Sequence, residues 1–94
     1  MPYIKAEKRE KFDDILSRLA SEDLTAGEMN YFISAFIHNV LGRKVSYVHI
    51  NAMIGVLECA KASLIETVLV PYEKTKMKEN GNISGLDKDY YEKL

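Results

Sequence analysis

Cysteine is almost missing from this sequence: Cys59 is the only one in 94 residues, so no disulfide can close within the chain. Histidine is nearly as scarce. His38 and His49 are the only two, and no Cys/His cluster at ligand spacing is present to hold zinc. Neither a GxxxxGK[ST] nor a GxGxxG loop occurs, which removes the common phosphate cradles. No long hydrophobic run exists either. The most apolar region, around Val48 to Val70, is interrupted by His49, Asn51, Glu58, Lys61 and Glu66 and does not read as a membrane span. The opening MPYIKAEKRE lacks the apolar stretch of a signal peptide, which predicts a cytoplasmic protein. An excess of one charge is also lacking. Thirteen basic and fourteen acidic residues give a net charge of −1, which argues against a protein that coats DNA.

What is present is the composition of a folded globular domain, 47% apolar and 29% charged. So short a chain buries a small share of its surface, and its core is marginal by itself. With disulfide and metal set aside, association with further copies is the remaining support.

The order of the chain predicts an all-α protein. Residues 1–4 form an extended arm, and residues 1–81 a single helical domain that includes it. Phe12, Ile15, Leu16 and Leu19 fall at helical spacing in the stretch from Lys8 to Ala20. A second helix starts at a capping box, Thr25 with Glu28. It continues through Met29, Phe32, Ile33, Phe36, Ile37, Val40 and Leu41, and stops at Gly42. Ser46 can cap a third helix running to about Val70. That helix carries two apolar stripes: Ile50, Met53, Leu57, Ala60, Leu64 and Val68 form one, and Val48, Ala52, Val56, Cys59 and Val70 the other. One stripe suffices to pack a small bundle. Burying one Leu- or Val-sized side chain contributes roughly 1.5–3 kcal/mol, so leaving the second stripe in water forfeits an amount comparable to a small domain's whole stability. The expected architecture is a compact three- to four-helix bundle whose long central third helix is kinked or broken at Pro71, and which is oligomeric. Tyr72 to Glu79 reads as a short helix closed by Asn80-Gly81. Residues 82–94 read as a tail, either a short helix or partly disordered.

Catalytic signals are weak. Cys59 lies in an apolar stripe, where a small buried hydrophobe outweighs a reactive thiol. His38 sits opposite the apolar face of helix two and reads as solvated. Glu58 and Lys61 read as a structural ion pair rather than a catalytic couple. The expectation is a binding module and not an enzyme, with no cofactor and no metal. Binding features are more numerous. Tyr3, Tyr31, Tyr47 and Tyr72 stand outside the main stripes, near Lys5, Lys8, Arg9, Arg43, Lys44, Lys74 and Lys76. A ring that grips a base beside a cation that neutralises a phosphate is what a nucleotide needs. Asn30, Asn51 and Asn80 offer the paired donor and acceptor that reads a base edge. Ordinary solvated packing remains the competing reading for each.

The strings MPYI, GEMNY at Gly27–Tyr31, SYVHINAMIGVLECAK at Ser46–Lys61 and PYEKTKMKENG at Pro71–Gly81 resemble a widespread group of small phage and bacterial proteins. That group shows an MPYI start, a GELNY-like helix, an IGVLECAK core helix and a PYE…ENG tail. The likeness runs from Met1 to Gly81. It departs at Asn82, where the group carries an acidic residue, and the tail from Ile83 has no counterpart. Through this group the chain resembles the anti-CBASS 4 proteins of phages, sponges that sequester cyclic nucleotide immune signals such as cyclic GMP–AMP without cleaving them. The resemblance implies a homo-oligomer, a tetramer, with nucleotide pockets at or near subunit contacts. Its partner would be a cyclic dinucleotide or trinucleotide, with neither DNA nor a membrane engaged. Carried onto this chain, it makes Tyr3, Tyr31 and Tyr72 the base-stacking residues. Lys5, Arg9 and Lys76 become the phosphate-neutralising ones, and Asn30 and Asn80 the readers of base edges or ribose hydroxyls. For Tyr3 and Tyr72, packing of the arm against the last helix is an equal alternative. The rival function is a protein-interaction module that inhibits a host factor through the second stripe of helix three.

Overall fold

Every regular element in the computed structural model is helical, and the structure describes residues 2–92. Met1 of the expected arm and the last two residues of the expected tail lie outside them. The arm, residues 2–5, has no helix, and the Ile4 amide donates to the Pro2 carbonyl at 3.0 Å in a tight turn. Helix α1 spans Ala6–Ala20, starting a little before Lys8. It has no side-chain cap at Lys5, but Glu7 in its first turn and Arg18 in its last complement the helix dipole. The Ser21 hydroxyl donates to the Arg18 carbonyl at 2.7 Å and satisfies one of the end carbonyls.

Helix α2, Ala26–Leu41, follows the expected punctuation. The Glu28 amide donates to Thr25 Oγ1 at 3.1 Å, and the Thr25 amide donates to the Glu28 carboxylate at 3.0 Å. At the other end Gly42 takes φ +49° and its amide donates to the His38 carbonyl, a conformation that a side chain would strain. Helix α3 spans Tyr47–Leu64 and is preceded by Ser46, whose hydroxyl lies 2.8 Å from His49 Nδ1.

The proline region departs from expectation. No break occurs at Pro71. A five-residue π-helical turn, Ile65–Leu69, follows α3 directly, and α4, Val70–Asn80, follows the turn. Pro71 has no N–H to offer the Thr67 carbonyl four residues back, and its ring crowds that carbonyl. The turn absorbs both problems by widening. The Val70 amide donates to Ile65, five residues back rather than four. The Thr67 hydroxyl donates to the Ser63 carbonyl at 2.7 Å, reinforcing the same stretch. Helix α4 ends at Gly81, with φ +92°.

A final helix, α5, covers Gly85–Glu92. It opens on a second cap. The Leu86 amide donates to Ser84 Oγ at 3.1 Å, while Asp87 accepts from the Ile83 and Ser84 amides, each at 2.9 Å. The expected tail is thus helical over Gly85–Glu92.

The chain divides into two units, Met1–Leu57 and Glu58–Leu94. Neither contains a core. No described residue is buried. In the first unit Leu19, Leu24, Ile37, Leu41, Ile50 and Met53 are half-buried, while Val48 and Val56 are exposed. Cys59 is exposed rather than buried. No helix among the described residues is long and apolar enough to cross a membrane.

Candidate functional site

In the first unit the candidate residues occupy the arm, α1 and α2. Tyr3, in the arm, is exposed. Lys5 sits at the N-cap of α1, and its carbonyl accepts from the Lys8 amide at 2.9 Å. Arg9, one turn into α1, donates from Nε to the Ile4 carbonyl at 2.9 Å. That bond ties the arm to the helix and holds Arg9, which is exposed, in place. Asn30, in the second turn of α2, accepts from the Ser34 hydroxyl through Oδ1 at 3.2 Å. Its amide nitrogen remains available as a donor. Tyr31 lines a shallow depression of about 380 Å³ with Ser34, Ala35, His38 and Asn39. These residues recur three, four, seven and eight positions on and share one helix face. His38 belongs to this face and is exposed, as its solvated reading expects.

In the second unit Tyr72 and Lys76 come together on α4. The Lys76 ammonium lies 5.6 Å from the centroid of the Tyr72 ring, within cation–π reach, and also 3.2 Å from the Glu79 carboxylate. Both side chains are substantially exposed, so the ion pair with Glu79 contributes little. Asn80 closes α4, one further turn along from Lys76. Lys76 also borders a depression of about 280 Å³ with Glu73, Met77, Gly81, Ile83 and Asp87. Asn82, where the chain departs from the group's acidic residue, donates to the Met77 sulfur at 3.1 Å.

The π turn determines what adjoins this pair. An α-helix turns about 100° per residue, so the step from Leu64 to Tyr72 would advance about 800° and leave Tyr72 about 80° away from Leu64. With the Ile65–Leu69 stretch at the wider π pitch, roughly 4.4 residues per turn, the advance is about 710°, and Tyr72 returns to within about 10° of Leu64. Tyr72 accordingly lines one apolar depression, of about 430 Å³, with Leu64, Ile65, Val68 and Leu69. An apolar face thus runs directly into an aromatic ring with a cation above it.

Two carboxylates are held below their ordinary range. Glu28 is lowered by the Thr25 amide and then by the Thr25 hydroxyl, and Asp87 by the Ile83 and Ser84 amides. Both are helix caps rather than acid–base groups. Glu58 and Lys61 make no ion pair among the described residues. No group of three or more His, Cys, Asp or Glu side chains that could hold a metal occurs among them either.

The sequence profile of a domain of unknown function (DUF6899) matches residues 1–83. The chain belongs to the DUF6899 family. The matched stretch contains Tyr3, Lys5, Arg9, Asn30, Tyr31, Tyr72, Lys76 and Asn80, together with the whole π turn. It ends where Ile83 begins the tail, so the second cap and α5 lie beyond the DUF6899 stretch. No curated protein and no solved structure matches the chain.

Proposed function

We propose that this DUF6899 protein binds cyclic oligonucleotide signals of the CBASS type, such as cyclic GMP–AMP, and sequesters them uncleaved, so that their effector is not activated. The observation that carries the reading is the Tyr72–Lys76 pair. A ring accessible for stacking and an ammonium within reach of a phosphate stand on successive turns of one helix. Asn80 adds a donor and acceptor one turn further. The resemblance to anti-CBASS 4 proteins supports the same ligand class, and Arg9, Asn30 and Tyr31 supply a second set of suitable groups in the other unit. The assembly in this reading is a homo-oligomer, a tetramer. Its symmetry would present the same groups to both halves of a cyclic dinucleotide, which is itself nearly two-fold symmetric.

The test is direct. Cyclic GMP–AMP is incubated with the protein, the free fraction is measured, and the mixture is heated to denature the protein. Depletion of free nucleotide followed by recovery of the intact compound is the expected result. Calorimetric silence across a set of cyclic di- and trinucleotides would overturn the proposal, and recovery of linear products would replace sequestration with cleavage.

A further inference from the structure

The depression bordered by Lys76 lies wholly within the unit Glu58–Leu94. Its volume is about 280 Å³, and its charged lining is the Glu73 and Asp87 carboxylates and the Lys76 ammonium. The donors there are already engaged. The Gly81 amide donates to the Met77 carbonyl at 2.8 Å, and the Ile83 amide donates to Asp87 at 2.9 Å. The Lys76 ammonium stands 3.2 Å from the Glu79 carboxylate and 5.6 Å from the centroid of the Tyr72 ring. Acceptors are in surplus. Asp87 stays charged as the cap of α5, held by the Ile83 and Ser84 amides. Glu73 makes no ion pair and no side-chain hydrogen bond among the described residues. The start of α4 does not call for its charge either, because α4 continues the π turn and presents no bare N-terminus.

A group that fits such a lining must bring donors. A phosphate brings only acceptors and meets two negative charges. The pairing edge of adenine sets one amino group beside a bare ring nitrogen, which would face a carboxylate oxygen lone pair to lone pair. The pairing edge of guanine carries a ring N–H and an exocyclic amine side by side, matching the two oxygens of one carboxylate. We infer that Glu73 reads guanine in this depression, accepting from its ring N–H and its exocyclic amine, so that the protein takes guanine-containing cyclic nucleotides in preference to adenine-only ones. The inference rests on the nucleotide-binding reading above and adds the base that the site selects. Lys76 borders the depression and also lies against Tyr72, so a guanine held by Glu73 has the phosphate-neutralising ammonium at its edge.

The experiment measures affinities of the full chain by calorimetry for cyclic di-GMP, cyclic GMP–AMP, cyclic di-AMP and cyclic di-IMP, with GMP and AMP alongside. The hypoxanthine of cyclic di-IMP keeps the ring N–H and lacks the exocyclic amine. Cyclic di-GMP should bind roughly 5- to 150-fold more tightly than cyclic di-AMP, the range of one good bidentate base contact. Cyclic GMP–AMP and cyclic di-IMP should fall between them. Glu73→Gln keeps the size of the side chain but turns one acceptor into a donor. It should bring cyclic di-GMP down to the level of cyclic di-AMP and leave cyclic di-AMP unchanged, a selective change that loss of folding cannot produce. Equal affinity of the unaltered chain for cyclic di-GMP and cyclic di-AMP, or an equal loss for both in Glu73→Gln, would overturn the inference and leave sequestration standing. Binding of GMP over AMP that Glu73→Gln abolishes, with no cyclic nucleotide bound, would uphold the guanine contact and overturn sequestration. Binding of none of the six would overturn both.

Discussion

Replacing Pro71 by alanine tests the geometry of the π turn. The turn widens because residue 71 offers no N–H and crowds the Thr67 carbonyl. Alanine restores the donor and removes the ring, so the stretch Ile65–Leu69 should close into an ordinary α-helix. One recovered backbone hydrogen bond is worth about 1 kcal/mol, which for a domain of this size is a rise of about 4–8 °C in the melting midpoint. The structural cost is a rotation. Tyr72, Lys76 and Asn80 should swing about 90° around the helix relative to Leu64, or about 8 Å of arc on a helix about 10–12 Å across. The variant should therefore melt higher while binding cyclic nucleotide less well, an uncoupling that ordinary destabilisation cannot produce. Backbone carbon chemical shifts from Leu64 to Tyr72, with calorimetry on the same sample, measure both. Unchanged shifts would show that Pro71 does not hold the turn open. A more stable, re-wound variant with undiminished binding would show that the alignment of Tyr72 with the apolar face is immaterial.

Other expectations are narrower. Tyr72→Ala, which removes a stacking ring, should weaken cyclic GMP–AMP binding roughly 5- to 150-fold by calorimetry, while Tyr72→Phe keeps most of the affinity. Asp87 is lowered from its ordinary 3.8 by the Ile83 and Ser84 amides. Its support of α5 is therefore complete above that value and lost as pH falls through the lower folded value, so the Ser84 amide resonance should hold steady down to about pH 4 and move only below it. Asp87→Asn should loosen α5 at neutral pH and flatten that titration.

The elements legible in the sequence are those specified by neighbours a few residues apart. Thr25, Glu28 and Gly42 fix both ends of α2 because each acts on a backbone group within its own turn. The Tyr72–Lys76 approach was readable for the same reason, since residues four apart on a helix are neighbours. The π turn was not. A proline's effect depends on whether the preceding turn can widen, and residue type alone does not decide this. The second cap carried the same signature as the first, Ser84 followed three residues later by Asp87, but no apolar run followed it, so the tail read only as a short helix or partly disordered. Periodicity showed which faces are apolar but not what covers them, so Cys59 was expected to be a small buried hydrophobe and is exposed. The Arg9 bond to Ile4 depends on how the arm turns, which no spacing rule supplies.

The stretch from Ile65 to Leu69 constrains length more tightly than composition. Exchanges among helix-compatible residues there leave the angular phase of everything downstream untouched. Loss or gain of a single codon would turn Tyr72, Lys76 and Asn80 away together, however well each was preserved. In the DUF6899 family, therefore, gaps in alignments should avoid this stretch and gather instead at connectors such as residues 21–24 or 82–84, where an added residue changes only slack.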